Sequence, residues 1–169
     1  APPAPPKGPP PPPPQPEVWR LQSKAALRRK CLERPHICAV ALLDSYSDTL
    51  DADRAVLDDV LAEHAGATGA FTITWIDPIE QEAFMRPFGF GQIAASDLPR
   101  LMVLSDKRRF FNQYVGAFTA DKINAYLHKL RRGGVKVQPL PDNVDLVASF
   151  ADEKGAPAEP DDDADADAD

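Results

Sequence analysis

The residues best suited to chemistry in this sequence are its two cysteines, Cys31 and Cys38. Six residues separate them, and Pro35 turns the chain between them. Three alternatives are open: the thiols stay reduced and buried, they form a structural disulfide, or they act as a redox pair. The redox pair is the weakest alternative, because neither cysteine is expected at a helix N-terminus, where a thiol pKa would be lowered.

Other side chains that could bind a metal or a phosphate do not form a recognisable motif. The three histidines, His36, His64 and His128, are spread over three predicted elements without metal-ligand spacing. They are therefore expected to be ordinary core or surface residues. The Phe-Gly-Phe-Gly sequence at residues 88–91 lacks the strand–turn–helix context of a phosphate-binding loop.

Composition divides the chain into four parts: a proline-rich linker (1–16), a domain (17–134), an unassigned extension (135–150) and an acidic tail (151–169). Eleven of the 19 prolines lie in residues 1–16, which predicts an extended polyproline rod that acts as a spacer or as a groove ligand. The net charge of −7 comes from the tail, since residues 17–150 are electrically balanced. A balanced domain with an acidic tail argues against nucleic acid as a partner, and no apolar run is long enough to span a membrane.

The tail is expected to be disordered and to bind Ca²⁺ weakly, because carboxylate oxygens are the ligands that Ca²⁺ prefers. A purely solubilising role is an equal alternative. No other cofactor is expected. The candidate ligands are the six aspartates of the last segment, Asp161, Asp162, Asp163, Asp165, Asp167 and Asp169.

Hydrophobic periodicity and turn residues predict five strands and four helices between residues 17 and 132. The continuous apolar run at 37–43 is typical of a central strand that is buried on both faces. A proline step, Leu98-Pro99, precedes a predicted hairpin. The predicted strands are 17–22, 37–43, 69–77, 101–104 and 109–115, and the predicted helices start at 24, 50, 79 and 119, the third ending before Pro87.

This order, β-α-β-α-β-α-β-β-α, resembles the thioredoxin fold, an α/β fold with a mixed central sheet and helices on both faces. In catalytic members of that family a Cys-x-x-Cys motif follows the second strand, and the proline before the hairpin is cis. The corresponding residues here, 44–49, read Asp-Ser-Tyr-Ser-Asp-Thr and contain no cysteine. Dithiol exchange at the usual position is therefore chemically excluded.

The sequence around both cysteines, Arg-Lys-Cys-Leu-Glu-Arg-Pro-His-Ile-Cys, resembles the C-terminal, non-catalytic b domain of a–a–b type protein disulfide isomerases. The likeness extends to the proline-rich entry, the Phe-Gly-Phe-Gly loop, Gly116-Ala-Phe118 and the acidic C-terminus. The resemblance implies a disulfide between Cys31 and Cys38 and a location in the endoplasmic reticulum lumen. The start lacks the apolar segment of a signal peptide and the end is not a retention signal, as expected for a processed protein or a piece of a longer one.

The same resemblance implies a module without enzymatic activity that holds or positions unfolded secretory proteins, and with them the luminal Hsp70 chaperone. An apolar patch beside the proline loop, formed by Phe88, Phe90, Leu98 and Pro99, is the predicted contact surface, with a core-lining role as its alternative. Two other functions remain open. One is a free-standing thioredoxin-like scaffold subunit of a larger assembly, and the other is a low-affinity calcium buffer.

Overall fold

A computed structural model describes residues 2–5, 8–9, 17–64, 70–90 and 92–152 of the chain. Most of the predicted proline rod, and the tail from residue 153 with its six candidate calcium ligands, lie outside the described residues. In the described part, no helix is both long and apolar enough to cross a membrane.

Six strands form one mixed sheet in the order β1-β3-β2-β4-β5-β6. β1, β3 and β2 are parallel, and β4, β5 and β6 continue the sheet in antiparallel fashion. The strands are β1 (Trp19–Arg20), β2 (Ile37–Leu42), β3 (Phe71–Ile76), β4 (Arg100–Ser105), β5 (Phe110–Tyr114) and β6 (Gln138–Pro139).

Helices cover both faces of the sheet, as the thioredoxin-like pattern predicts. They are α1 (Lys24–Leu27), which continues as a π-helical segment (Arg28–Leu32), α2 (Leu50–His64), α3 (Glu82–Met85), which continues as a 3₁₀ turn (Arg86–Phe88), α4 (Ala120–Arg131) and α5 (Leu146–Ser149). Two helices start where a hydroxyl side chain caps the backbone: Ser23 accepts from Ala26 N–H, and Thr119 accepts from Lys122 N–H.

Alternate residues of β3 point to the two faces of the sheet, as its period of two predicts. Phe71, Ile73 and Trp75 pack with α2 and α4 on one face, whereas Ile76 packs with α1, α3 and α5 on the other. β2 is buried on both faces except at its first residue, which confirms the central strand predicted from its apolar run.

Three local predictions need correction. β1 is only two residues long, although Leu21 N–H still donates to Trp75 C=O at 2.9 Å. The third helix is shorter than predicted, and Pro87 lies inside the following 3₁₀ turn because proline is well accommodated in a first turn. The turn of the hairpin is shifted by one residue, so that Arg109 adopts a left-handed φ of 53° at its end.

The extension at 135–150, which the sequence left unassigned, adds β6 and α5 to the fold. Arg109 holds it in place: its C=O accepts from Leu140 N–H at 2.9 Å, and its guanidinium donates to Pro141 C=O at 2.8 Å. The apolar side chains of Leu140, Leu146 and Phe150 are almost completely buried. The Phe150 ring packs edge-on against Phe84, at 5.3 Å between centroids.

Candidate functional site

The carboxyl end of the sheet is where three loops meet. The register pairs Leu42 with Arg100 and Leu101 with Tyr114, so the end of β2, the start of β4 and the end of β5 are neighbours. Residues 44–49 after β2, the cis Leu98-Pro99 step before β4 and Val115 after β5 therefore share one end of the molecule. Ligand sites in open α/β sheets lie preferentially at the carboxyl ends of the parallel strands.

Loop 44–49 is held by a buried carboxylate at the end of β3. Asp77 is 2% exposed, and one of its oxygens accepts from Ser45 N–H at 3.1 Å and from the Ser45 hydroxyl at 2.5 Å. Its other oxygen accepts from Ile79 N–H at 2.9 Å. Further along, the Thr49 hydroxyl donates to Asp53, whose pKa is raised by burial and partly lowered by this bond.

These contacts give the Ser45 hydroxyl a carboxylate rather than a histidine as its partner. A serine attacks efficiently only when a neighbouring base takes its proton, usually a histidine. The Ser45 hydroxyl instead donates to Asp77, and the three histidines lie on the far side of the molecule, at His36 before β2 and at His64 and His128 on α2 and α4.

Two apolar side chains at this end are nearly fully exposed. Tyr46 is 86% exposed in loop 44–49, and Val115 is 89% exposed after β5. Gly116 suits the turn that presents Val115, because a Cβ at this position would lie 2.6 Å from the Tyr114 hydroxyl and displace that side chain. That hydroxyl donates to Ala117 C=O at 2.8 Å and fixes the turn.

The predicted apolar patch is only partly a surface. Phe88 is 1% exposed, and its ring packs edge-on against Phe84 and Phe111 in the core, so it takes the core-lining role rather than the contact role. The reason is that residues 86–88 form a 3₁₀ turn rather than an open loop, which directs the ring inward. Phe90, Leu98 and Pro99 are half-buried, and the Arg100 guanidinium lies 5.4 Å from the centre of the Phe90 ring.

Sequence reasoning did not identify Tyr46 and Val115 as exposed. For Tyr46 a signal existed: it is the one aromatic residue in an otherwise polar loop that follows a buried strand. Nothing in the sequence distinguishes Val115 from the strand residues before it. Its exposure follows from the end of β5 at Tyr114.

A cleft of about 590 Å³ adjoins the loop, lined by residues of β1, of loop 44–49, of the α3 entry and of the C-terminal segment. Gln81 forms one wall by pairing with the backbone of Ala151: its amide donates to Ala151 C=O at 2.7 Å and accepts from Ala151 N–H at 2.8 Å. The next residue, Asp152, accepts from Lys24 N–H at 2.6 Å. The residues that line this cleft are Arg20, Ser45, Tyr46, Glu80, Gln81, Ala151 and Asp152.

Cys31 and Cys38 form a disulfide that joins the π-helical segment after α1 to the start of β2, with Cα atoms 5.3 Å apart. Both residues are buried, Cys31 at 3% and Cys38 at 0% exposure. The bond is therefore part of the core on one face of the sheet. Its position corresponds to the structural alternative rather than to an accessible redox pair.

Two of the three histidines, on α2 and α4, lie close together in the fold although they are far apart in sequence. The rings of His64 and His128 lie 4.8 Å apart across the α2–α4 contact, and His128 Nε2 lies 3.1 Å from a carboxylate oxygen of Glu63. Burial, and secondarily His128, lower the pKa of His64. In the described part of the chain, no group of three or more His, Cys, Asp or Glu side chains is arranged to hold a metal ion.

The fold and this end of the sheet define a thioredoxin-like domain without the reactive dithiol. A family model described as PDIA6-like, C-terminal thioredoxin-like domain matches residues 7–135, and the chain belongs to this family. The resemblance to the non-catalytic b domain seen in the sequence is thereby confirmed. No curated protein matches the chain.

Solved structures with the same fold are distant in sequence. Chloroplastic thioredoxin z is 16% identical, with a TM-score of 0.52 over 69% of this chain and 96% of that chain. The Trx4 domain of ERdj5 is 10% identical, with a TM-score of 0.53 over 70% of this chain and 98% of that chain. The J-Trx1 fragment of ERdj5 is 13% identical, with a TM-score of 0.52 over 72% of this chain and 53% of that fragment. At these identities the likeness shows the fold alone.

Proposed function

We propose that this domain is a redox-inactive binding module that holds or positions unfolded secretory proteins for a disulfide isomerase in the endoplasmic reticulum lumen. Membership of the PDIA6-like family supports a location in the endoplasmic reticulum and an origin in a disulfide isomerase. The observation that carries the proposal is that Tyr46 and Val115 both lie at the end of the sheet where catalytic relatives act. Both side chains are exposed there, although residues 44–49 hold no cysteine.

Exposed apolar side chains on neighbouring loops suit an unfolded client, because such a chain exposes apolar segments without a fixed shape. Half-buried Phe90, Leu98 and Pro99 continue the apolar surface beside them. A partner chaperone that presents an extended apolar segment would use the same surface.

The experiment compares the same substitution at opposite ends of the sheet. Val115→Ser, alone and with Tyr46→Ser, removes the proposed contacts, and Val137→Ser is the matched control because Val137 is also exposed, at 36%, but lies at the other end. Binding is measured on the full chain by fluorescence anisotropy with a reduced and carboxymethylated secretory protein as client. Burial of each side chain is worth about 1 kcal/mol or more, so the double variant should weaken binding at least about tenfold.

Val137→Ser should leave the Kd for this client unchanged. Equal weakening by Val115→Ser and Val137→Ser would show that the domain binds clients without a defined site. An unchanged Kd in the double variant would place the client contact elsewhere and overturn the proposal. Circular dichroism of each variant shows that the fold is retained.

A further inference from the structure

The amino end of the sheet carries a second cleft, of about 530 Å³, on the side opposite to the client surface. β2 and β3 start here, the β4–β5 turn closes it, and the end of α4 and the segment before β6 form its far wall. Its lining residues are Pro35, His36, Ile37, Ala70, Arg108, Phe110, Leu130, Arg131, Gly133, Val135 and Val137. The cleft thus combines an apolar floor with two arginines and a histidine.

The formally charged side chains that line this cleft, Arg108 and Arg131, are both basic. None of its described lining residues is acidic, and Lys107, Arg132 and Lys136 directly adjoin lining residues in sequence. Lys107, Arg108, Arg132 and Lys136 are all exposed and form no salt bridge within the described residues. Two acidic residues lie close to lining residues in sequence: Asp106 is bonded to Arg109 at 2.6 Å, and a Glu33 oxygen lies 3.9 Å from the Arg28 guanidinium.

Stabilisation of the end of α4 explains only some of the cations around this cleft. Arg131 and Arg132 stand at the end of α4, where cations offset the partial negative charge of the helix terminus. Arg108 lies in a turn between two strands and Lys136 in the segment before β6, so neither has a helix end to compensate. Three parts of the chain, the end of α4, the β4–β5 turn and the segment before β6, therefore place cations in or next to one cleft of a domain whose net charge is zero between residues 17 and 150.

We propose that this cleft binds the acidic segment at residues 161–169 of the same chain. That segment contains six aspartates and no basic residue, and it is the densest run of charge in the sequence. The interleaved alanines, at 164, 166 and 168, are small enough to lie on the apolar floor between the aspartates. The contact is independent of client binding, since it uses the other end of the sheet.

The chain between the domain and this segment is long enough for the segment to reach the cleft at the amino end. Asp152 lies at the carboxyl end, beside Arg20 and Ser45, and residue 161 follows nine positions later. Nine extended residues span about 30 Å, whereas a six-residue strand such as β2 spans about 20 Å. The tether keeps the segment at an effective concentration on the order of millimolar, so a weak intramolecular contact is populated.

The test places a nitroxide spin label on the acidic segment of the full chain through Asp165→Cys. Since Cys31 and Cys38 are bonded to each other, the new cysteine is the one available thiol. At about 0.1 M salt the label should broaden backbone amide signals of Arg108, Gly133 and Val137 more than those of Ser45 and Tyr46. Broadening should disappear at about 1 M salt, because the screening length falls from about 10 Å to about 3 Å.

Charge-reversal variants give the matched comparison. The pair Arg108→Glu and Lys136→Glu should abolish the broadening at the cleft. The pair Arg54→Glu and Lys122→Glu changes the net charge by the same amount on exposed faces of α2 and α4 and should leave it intact. Neither pair removes a described hydrogen bond or salt bridge, and a dispersed amide spectrum shows that each variant is folded.

Three outcomes overturn the proposal. The first is the absence of broadening at the cleft at low salt. The second is an equal loss of broadening in both charge-reversal pairs, which would indicate non-specific attraction. The third comes from a mixture of spin-labelled chain with isotope-labelled, spin-free chain. Broadening of equal size in that mixture would assign the contact to a second copy instead of the same chain.

Discussion

The two ends of the sheet expose opposite kinds of surface, although the domain between them has no net charge. The carboxyl end presents Tyr46 and Val115 on loops that are fixed by hydrogen bonds, with Asp77 buried beneath. The amino end presents arginine and lysine side chains around an apolar cleft. The comparison teaches that the placement of charges, rather than their sum, decides which partners a balanced domain can bind.

The ends also differ in how they are anchored. At the carboxyl end, the cleft wall depends on residues far along the chain, through the pairing of Gln81 with Ala151 and the burial of Phe150. At the amino end, the disulfide ties the start of β2 to the helical segment before it. Noncovalent packing thus supports one end and a covalent link supports the other, so the two should respond to different perturbations.

The largest effect is expected at the carboxyl end, from Phe150→Ala. Removing a fully buried phenylalanine ring costs about 3–5 kcal/mol of unfolding free energy. Urea denaturation measures this loss, and amide shifts of Ser45 and Tyr46 should change more than those of Gly133 and Val137. Phe150→Leu, which keeps most of the volume, should lose much less. A loss below about 1 kcal/mol for Phe150→Ala would show that the C-terminal segment contributes little to the fold.

Reduction of the disulfide should affect the amino end, with a smaller effect on stability. Closing a loop this short is worth about 2–3 kcal/mol in the chain-entropy model. Urea denaturation of the Cys31→Ser/Cys38→Ser variant, compared with the oxidised chain, measures the loss, and hydrogen exchange should accelerate first around the start of β2. The control is intact mass after alkylation, which must show no free thiol in the oxidised chain. Equal stability of both forms would contradict a stabilising role for the bond.

The pH dependence of stability should also arise near the amino end, where α2 ends. Burial, and secondarily His128, lower the pKa of His64 below its ordinary 6.5; Asn124 and Glu63 oppose this, and Arg131 adds to it. The unfolded chain therefore takes up a proton at His64 before the folded chain does. Stability from the neutral ring is complete above pH 6.5 and is lost as the pH falls through the lowered pKa of the folded state.

Urea denaturation at several pH values between 7 and 5 checks this prediction. The quantity to compare is the slope of the unfolding free energy against pH, rather than its absolute value. His64→Gln should flatten the decline, whereas His36→Gln should leave it as in the original chain. The edge-on contact of His64 with Phe71, at 5.1 Å, shows the apolar surroundings that a charged ring would disturb. An identical slope for the chain and its His64→Gln variant would rule out His64 as the source.

The smallest effect on stability is expected from the residues proposed to bind clients. Tyr46→Ser and Val115→Ser change side chains that are more than four-fifths exposed, so each should alter the unfolding free energy by less than about 0.5 kcal/mol. Thermal or urea denaturation checks this against Phe150→Ala. A loss above about 1 kcal/mol would mean that these side chains support their loops, and the client-binding comparison would then need other substitutions.

Much of the architecture can be predicted from local sequence patterns. The buried run of β2, the alternation in β3, the capped starts at Ser23 and Thr119 and the proline before the hairpin each depend on near neighbours in sequence. Phe88 was less predictable, because the flanking glycine suggested an open loop and only contacts with Phe84 and Phe111 draw its ring into the core. Residues 135–150 have no clear period, and their burial depends on docking to a sheet formed by other segments.

The sequence by itself determined the order of the strands and helices between residues 17 and 132, the absence of cysteine from residues 44–49 and the concentration of acidity in the tail. These are properties of composition and short-range spacing, which need no three-dimensional contact to be read. The tertiary structure alone decided that Tyr46 and Val115 share one exposed end, that His64 meets His128, and that Arg108 and Arg131 line one cleft. The physical reason is that each of these groupings joins residues from separate elements, whose distances are set by strand pairing and helix packing rather than by position along the chain.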